Sequence, residues 1–306
     1  ATGPRDVRFK VLFCGICLTD LHQIHNDWEQ SIYPMVPWHK IVGEVREVGS
    51  EYCQKKVIWT CSVEDYDGTV TQGRHFTIMV CKQEFVLKMR TNLPLDAAAP
   101  LLCAGIKVYS PMKHYQMDVA GKHFGVVGLG GSGHMAIKPR ADEELRICRY
   151  DMLGVNATKF MIHMYLDMWV SVQAAAGTID YIIDTVSASH PLDPYLSTLK
   201  LDGKLVMMEI PEKPLSIHAF PLTSDKAPNS SSTFFKFFSW RYVGGSRAGG
   251  IKETQEMLDF CGEHNITCMI EKIPISYINT VMERLEKVDV KYHFVINIGN
   301  NLESEN

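Results

Sequence analysis

A turn near the beginning of the chain concentrates side chains that can bind a metal or move a proton. Cys14 and Cys17 have the spacing C-x-x-C, and polar residues follow them closely: Thr19, Asp20, His22, His25 and Asp27. Such a cysteine pair is typical of a zinc knuckle or a redox pair. No second C-x-x-C follows nearby to complete a four-cysteine site, which leaves open that one of the two cysteines is only a core residue.

Two further candidate ligands lie in segments that by themselves favour a structural role. His39 follows a proline-flanked segment and precedes an alternating strand pattern over residues 41–48. A lone histidine in that setting is more often structural than a ligand. Cys103 follows a double leucine in a helix-prone run, where a buried small hydrophobic residue is the ordinary interpretation.

A glycine-rich turn follows the apolar run at residues 124–127, which predicts a buried strand. Gly128, Gly130 and Gly133 give the pattern G-x-G-x-x-G. Glycine allows a tight turn and a close approach of the backbone to a pyrophosphate, so the pattern predicts a dinucleotide-binding loop. A turn that binds nothing is an equally good interpretation of the loop alone, and Pro139 predicts that the helix after it ends early.

The residues about 20 positions beyond this loop do not decide the type of dinucleotide. Arg146 and Arg149 are suited to a 2′-phosphate, whereas Asp151 is suited to a ribose hydroxyl. NADP and NAD therefore both remain open on these residues.

Composition excludes several classes of protein. The chain has 306 residues, enough for two domains, and 31 basic against 35 acidic residues leave a formal charge of −4 without long blocks of like charge. This argues against nucleic-acid and membrane partners. No apolar run approaches a membrane span and the first residues lack a signal peptide, so we expect a cytoplasmic protein whose nine cysteines are free thiols or metal ligands.

The order of predicted elements indicates an α/β protein with two kinds of domain. Residues 51–90 are mostly strands and turns, whereas helix-like and strand-like segments alternate after the glycine loop. The apolar runs 181–185 and 203–208 are typical of a parallel sheet. Residues 252–265 predict an amphipathic helix whose apolar face carries Thr254, Met257, Leu258 and Cys261.

Over most of its length the chain resembles the plant cinnamyl alcohol dehydrogenases, zinc-dependent members of the medium-chain dehydrogenase/reductase superfamily. The motifs that carry the resemblance include CGICLTDLH, YPMVPWHKIVGEVREVGS, DAAAPLLCAGIKVYSPMK, GVVGLGGSGHMAIK and IIDTVSASHPLDPYLSTLKLDGKL. The resemblance implies a GroES-like β-rich catalytic domain in residues 1–103 and 250–306. It further implies a Rossmann domain, a doubly wound parallel sheet, in residues 104–249, and a homodimer.

The same resemblance implies a catalytic zinc held by two cysteines and a histidine, with one position open for water or the substrate oxygen. By motif match the ligands are Cys17, His39 and Cys103, which leaves Cys14 as a non-ligand. A proton relay is implied at Thr19, His22 and Asp27, for which the alternative is a turn stabilised by polar side chains.

Cofactor and substrate residues are also implied by the resemblance. NADP(H) contacts are implied at eight positions: Gly128, Leu129, Gly130, Gly131, Ser132, Gly133, Thr185 and Ser246. An apolar, aromatic substrate pocket is implied near Trp28, Trp59 and Arg247, although Arg247 replaces the apolar residue usual in the family.

Several departures from the family pattern bear on the metal and the cofactor. Lys40 replaces a glutamate beside the zinc histidine, and a lysine near zinc is unfavourable unless it turns away or loses its proton. Lys107 replaces a small hydroxyl residue near the cofactor. Only Cys53 remains of a four-cysteine lobe that holds a structural zinc, which argues against that zinc. After Lys138 the second Rossmann strand and the cluster that binds the NADP phosphate are expected to be missing.

The sequence therefore predicts a zinc-dependent alcohol dehydrogenase that transfers a hydride between NADP(H) and a cinnamyl-type aldehyde or alcohol, a small molecule of phenylpropanoid and lignin metabolism. One alternative is a reductase of the same fold in terpenoid or alkaloid metabolism. The other is a non-catalytic relative that only binds a nucleotide or a partner. Lys40 favours this last alternative, and the retained Cys17, His39 and Cys103 argue against it.

Overall fold

A computed structural model gives the fold of this chain. It describes residues 3–37, 39–50, 77–117, 119, 121–138, 147–150, 175–211, 213–223 and 240–299, with the backbone alone for 147–150. The chain divides into two compact units, one of residues 1–106 with 250–306 and the other of residues 107–249.

The first unit is built on a sheet whose central strand is β1 (Asp6–Ile16). This strand pairs antiparallel with β2 (Lys40–Val48), β3 (Ile78–Lys82) and β10 (His293–Asn297), and β10 pairs parallel with β9 (Ile270–Ile273). In the register of β1 with β2, Gly15 lies opposite Lys40. The end of β1 and the beginning of β2 are thereby held side by side.

Short helices follow the strands of this unit. They are α1 (Leu18–His25), α2 (Leu95–Ala98), α7 (Ile251–Glu263) and α8 (Ile278–Glu286), together with the beginning of α3 (Ala104–His114), whose residues from Lys107 on belong to the second unit. The helix-prone run after residue 94 is interrupted by a 3₁₀ turn (Ala99–Leu102), because Pro100 has no N–H to donate. The predicted helix over 252–265 is confirmed as α7, and its four predicted apolar-face residues are all buried.

The second unit contains a parallel sheet in the order β5, β4, β6, β7, β8. Its strands are β4 (Phe124–Val127), β5 (Ile147–Tyr150), β6 (Ile179–Asp184), β7 (Leu199–Met207) and β8 (Tyr242–Gly245). Helices α4 (Gly131–Ile137), α5 (Asp193–Thr198) and α6 (Ala219–Thr223) belong to the same unit. Every residue of β4 is buried, as expected of a parallel sheet with both faces covered. The Rossmann part of the fold prediction is confirmed.

One expectation about this sheet is wrong. The second strand, expected to be missing after Lys138, is present as β5, which pairs parallel with β4 from Phe124 opposite Ile147 to Val127 opposite Tyr150. The physical reason is that β4 is fully buried and an unpaired edge would leave its backbone groups without partners. Cys53, Arg146 and Asp151 lie outside the described residues, and no side chain is described for Arg149.

Candidate active site

Three side chains predicted as metal ligands meet in the first unit, although they come from separate segments. Cys17 lies between β1 and α1, His39 directly precedes β2, and Cys103 lies between the 3₁₀ turn and α3. The ligand atoms of the three residues lie within 4.8 Å of one another. Two thiol sulfurs and one imidazole are the donor set of a catalytic zinc with an open position, so the residues suit that metal.

Asp20 holds two of these ligands in place. It is fully buried, its Oδ2 accepts a hydrogen bond from the backbone N–H of Cys17 at 2.8 Å, and its Oδ1 lies 3.2 Å from Nδ1 of His39. A carboxylate on the second nitrogen of a metal-binding histidine fixes the ring and its tautomer. The sequence by itself indicates Asp20 only as a polar turn residue. The available signal was an acid in the first turn of a helix directly after a candidate ligand.

The charges in the site shift two pKa values toward the charged forms. Burial opposes a charged imidazole, but the charge of Asp20 and its hydrogen bond raise the pKa of His39 well above its usual value. For Cys103, a hydrogen bond with the Cys17 thiol is the largest influence. Together with the positive charges of Lys40 and His39 it outweighs burial, which opposes the thiolate, and the pKa of Cys103 lies well below its usual value. The thiolate, favoured here, is the form that binds metals.

Lys40 neither turns away from the ligands nor reaches water. Its side chain is completely buried, and a Cβ on Gly15 would lie 3.0 Å from its Cδ, so the lysine stem packs where glycine leaves room. Its Nζ makes no well-formed hydrogen bond with any residue in the described part of the chain. Burial alone would lower the pKa of Lys40, but the charges of Cys17, Cys103 and Asp20 raise it. These charges therefore favour the ammonium form of Lys40.

The predicted relay residues lie on and just after α1. Nδ1 of His22 lies 2.6 Å from Oδ2 of Asp27, whereas Nε2 of His22 is buried and has no partner within the described ranges. Thr19 precedes His22 by three residues and so shares a face of the helix with it. The Trp28 ring lies 5.2 Å from the His22 ring between centroids. Trp59 lies outside the described residues.

The glycine loop of the second unit has the shape expected of a dinucleotide loop. Gly128 has φ +84°, which favours glycine, and a Cβ on Gly133 would lie 2.0 Å from the carbonyl oxygen of Gly128. A Cβ on Gly130, by contrast, would meet no described atom within 4 Å. Two of the glycines are therefore required by the fold, and the third leaves open space that a pyrophosphate can occupy.

The other predicted cofactor residues follow strands at the same edge of the sheet. Thr185 follows β6, and its Oγ1 lies 2.9 Å from the carbonyl oxygen of Val127 and 3.1 Å from that of Gly128. Ser246 follows β8 and donates its backbone N–H to Met207. Arg247 is exposed. In open parallel sheets, ligands bind at the carboxyl ends of the strands.

Glu209, which sequence reasoning missed, connects Lys107 to the glycine loop. Nζ of Lys107 donates to Oε2 of Glu209 at 2.7 Å, and the hydroxyl of Ser132 donates to Oε1 at 3.0 Å. The only sequence signal was its position two residues after β7, at the edge where the cofactor residues gather.

Comparison with known proteins gives one family for both units. Residues 3–90 match the alcohol dehydrogenase GroES-like domain, which confirms that part of the fold prediction. A probable mannitol dehydrogenase of Fragaria ananassa is 44% identical over 98% of this chain and 90% of its own length. Cinnamyl alcohol dehydrogenase 8 of Arabidopsis thaliana is 45% identical over the same shares. The first alignment spans 347 positions, more than the 306 residues of this chain, so that relative has internal residues that this chain lacks.

Solved structures agree with these relatives. A cinnamyl alcohol dehydrogenase from Sorghum bicolor superposes with a TM-score of 0.84 at 36% identity, covering 98% of this chain and 92% of that one. A Helicobacter pylori cinnamyl alcohol dehydrogenase complexed with NADP(H) superposes with a TM-score of 0.80 at 28% identity and the same coverage. No helix in the described ranges is both long and apolar enough to cross a membrane.

Proposed function

We propose that this chain, which belongs to the alcohol dehydrogenase family of the plant cinnamyl alcohol and mannitol dehydrogenases, interconverts a small-molecule aldehyde and alcohol with NADP(H). The observation that carries the proposal is the meeting of Cys17, His39 and Cys103 within 4.8 Å of one another. Hydride transfer to an aldehyde needs a nicotinamide cofactor and a group that stabilises charge on the substrate oxygen. The second unit, with its glycine loop, is suited to binding the nicotinamide cofactor. The first unit, with the three predicted metal ligands, is suited to stabilising charge on the substrate oxygen.

Cys17, His39 and Cys103 are the residues that would hold a zinc ion, which when bound supplies a Lewis acid for the substrate oxygen. Asp20 prepares this set before any metal arrives. It engages Nδ1 of His39, which leaves Nε2 as the nitrogen available for a metal. It also fixes the backbone of Cys17 through the hydrogen bond of 2.8 Å.

His22 is the proposed proton carrier, with Asp27 behind it. A carboxylate 2.6 Å from Nδ1 favours the tautomer with the proton on that nitrogen, which leaves Nε2 as an acceptor. Nε2 then takes up the proton released when an alcohol is oxidised and returns one when an aldehyde is reduced. We assign Thr19 to the same relay because it lies on the same face of α1.

The eight positions named for the cofactor remain our proposed contacts, and NADP(H) is the proposed dinucleotide. The solved relative from Helicobacter pylori, which is complexed with NADP(H), supports this choice.

The proposed substrate is a cinnamyl-type aldehyde. Trp28 presents an aromatic ring 5.2 Å from the ring of His22, and an aromatic surface suits a conjugated ring better than a polyol. Trp59 and Arg247 stay proposed pocket residues on the resemblance alone. A homodimer and a cytoplasmic location are proposed on the same basis.

A polyol substrate is the second candidate, because several relatives at similar identity are named mannitol dehydrogenases. The test compares NADPH oxidation with cinnamaldehyde against NADP reduction with mannitol, using zinc-supplemented protein. We expect a kcat/KM at least about tenfold higher with cinnamaldehyde. Turnover of mannitol alone would favour the polyol candidate, and no turnover of either would favour a non-catalytic nucleotide-binding protein.

A further inference from the structure

A buried lysine without a well-formed hydrogen bond is costly, and this chain places one in its candidate metal site. The side chain of Lys40 is completely buried, and its Nζ makes no well-formed hydrogen bond within the described part of the chain. An unpaired charge away from water is strongly destabilising unless opposite charges lie close to it. The position of Lys40 therefore needs an explanation beyond packing.

The position of Lys40 in the fold brings its side chain to the metal site. His39 directly precedes Lys40 in the chain, and Gly15, against which the lysine stem packs, lies two residues before Cys17. The charges of Cys17, Cys103 and Asp20 favour the ammonium form of Lys40. The backbone holds the lysine there, because Lys40 is the first residue of β2 and pairs with Gly15 of β1. The absence of a side chain at Gly15 leaves the space that the stem of Lys40 fills.

We propose that the Lys40 ammonium is a built-in cation of the Cys17, His39 and Cys103 site, which weakens the binding of zinc and of other divalent metals. This inference rests on the proposed metal site. The same donors that attract a divalent metal also stabilise the positive charge of the lysine, and a second cation entering the site is repelled at short range. Removing the positive charge at position 40 therefore strengthens metal binding, and the donor set stays unchanged.

The test is a titration of the metal-free full chain with Co²⁺ in competition with a chelator of known affinity. Absorption by thiolate-to-cobalt charge transfer reports binding through cysteine without any measurement of enzymatic activity. Lys40→Met removes the charge and keeps an unbranched apolar stem. Lys10→Met is the matched control, because Lys10 lies on the same strand pair, opposite Glu44 and away from the ligands.

We expect Lys40→Met to bind Co²⁺ at least about tenfold more tightly than the wild type, with Lys10→Met equal to the wild type. Equal affinities for the wild type and Lys40→Met would overturn the inference while leaving the metal site intact. If neither protein gave a charge-transfer band that Cys103→Ser removes, the proposed metal site would fail, and this inference with it.

Two further measurements cover the case in which Lys40→Met does not fold, as judged by circular dichroism. Lys40→Gln keeps a polar end group without charge, and the same tighter binding is expected. In the wild type alone, zinc content is measured after long dialysis against EDTA. Loss of zinc is expected, and retention of one zinc per chain would contradict the inference.

Discussion

At the scale of single residues, the relay rests on the two nitrogens of one imidazole. Nδ1 of His22 is 2.6 Å from the carboxylate of Asp27, and Nε2 is buried without a described partner. A histidine arranged in this way can exchange a proton through Nε2 alone, because the carboxylate occupies Nδ1. The buried nitrogen is therefore the atom through which the proposed proton transfer takes place.

The relay predicts a loss of turnover without a loss of cofactor binding. His22→Gln is expected to lower kcat about 100-fold, because it removes the group that exchanges the proton. Asp27→Asn is expected to lower kcat less, about tenfold, because the imidazole remains but its tautomer is no longer fixed. Steady-state kinetics measure kcat, and quenching of protein fluorescence measures the dissociation constant for NADPH.

His25→Gln is the matched control for these two variants. His25 lies on the same helix but is exposed, 3.4 Å from Glu286, so kcat is expected to stay at the wild-type value. A wild-type kcat in His22→Gln would remove His22 from the mechanism.

The glycine loop gives a second prediction at this scale, from two alanine substitutions that separate folding from binding. Gly133→Ala is expected to lower the free energy of unfolding strongly, because its Cβ would lie 2.0 Å from the carbonyl oxygen of Gly128. Gly130→Ala meets no described atom, so its thermal midpoint is expected to match the wild type. Its dissociation constant for NADPH is expected to rise at least about tenfold, because the methyl group takes space next to the pyrophosphate. Unchanged NADPH binding in a folded Gly130→Ala protein would contradict the cofactor assignment.

At the scale of elements, a buried ion pair holds the segment that follows β6. Nε2 of His190 lies 2.8 Å from Oδ2 of Asp184, and Nδ1 lies 2.8 Å from the carbonyl oxygen of Ala188. Both ring nitrogens face acceptors, so the folded segment favours the doubly protonated ring. Although burial opposes the charge, these contacts raise the pKa of His190 above its usual value.

The direction of this shift predicts a pH-dependent contribution to stability. A histidine whose pKa is higher in the folded state stabilises the fold fully below its unfolded pKa of about 6.5, and loses that contribution as the pH rises through the folded value. His190→Asn should therefore lower the free energy of unfolding by about 2 kcal/mol near pH 6, and by less near pH 9. Urea unfolding at both pH values measures the difference, with exposed His114→Asn as the control. An equal loss at both pH values would contradict the pairing.

Elements whose hydrophobic pattern lies within one segment were predictable from the sequence. Contacts between segments far apart in the sequence were not. The helix α7 followed from the spacing of Thr254, Met257, Leu258 and Cys261, because a period of 3.6 is visible within one segment. Local patterns favoured a structural role for both His39 and Cys103. The pairing of β1 with β2, in which Gly15 lies opposite Lys40, is not encoded in the local sequence around either candidate ligand. Their assignment as ligands came from the family resemblance. The contacts of Asp20 with His39 and of Glu209 with Lys107 were missed for the same reason, because each joins residues far apart in the sequence.

At the scale of the whole molecule, the chain keeps the framework of its family while lacking part of the relatives' length. The alignment with the Fragaria ananassa relative spans 347 positions against 306 residues here. By the resemblance, Cys53 is what this sequence keeps of a four-cysteine lobe, and on that basis we propose that the chain binds no structural zinc, because a single cysteine cannot hold one.

The number of zinc ions per chain follows from the proposed donor set. Lys40→Met protein saturated with zinc and freed of loosely bound metal should contain one zinc per chain, because Cys17, His39 and Cys103 are the donors proposed to bind it. Mass spectrometry of the native protein or elemental analysis measures the ratio. Two zinc ions per chain would show a second metal site that the sequence does not predict.

The proposed function depends on hydride transfer between a nicotinamide and a carbonyl carbon. The most direct measurement supplies NADPH deuterated at the transferred position, cinnamaldehyde and excess zinc, and examines the alcohol product by mass spectrometry. We predict one deuterium at the carbinol carbon with the wild type and with Lys40→Met, and no labelled alcohol with Cys103→Ser. The absence of labelled alcohol from both zinc-supplied proteins, or its undiminished formation by Cys103→Ser, would contradict the proposed site.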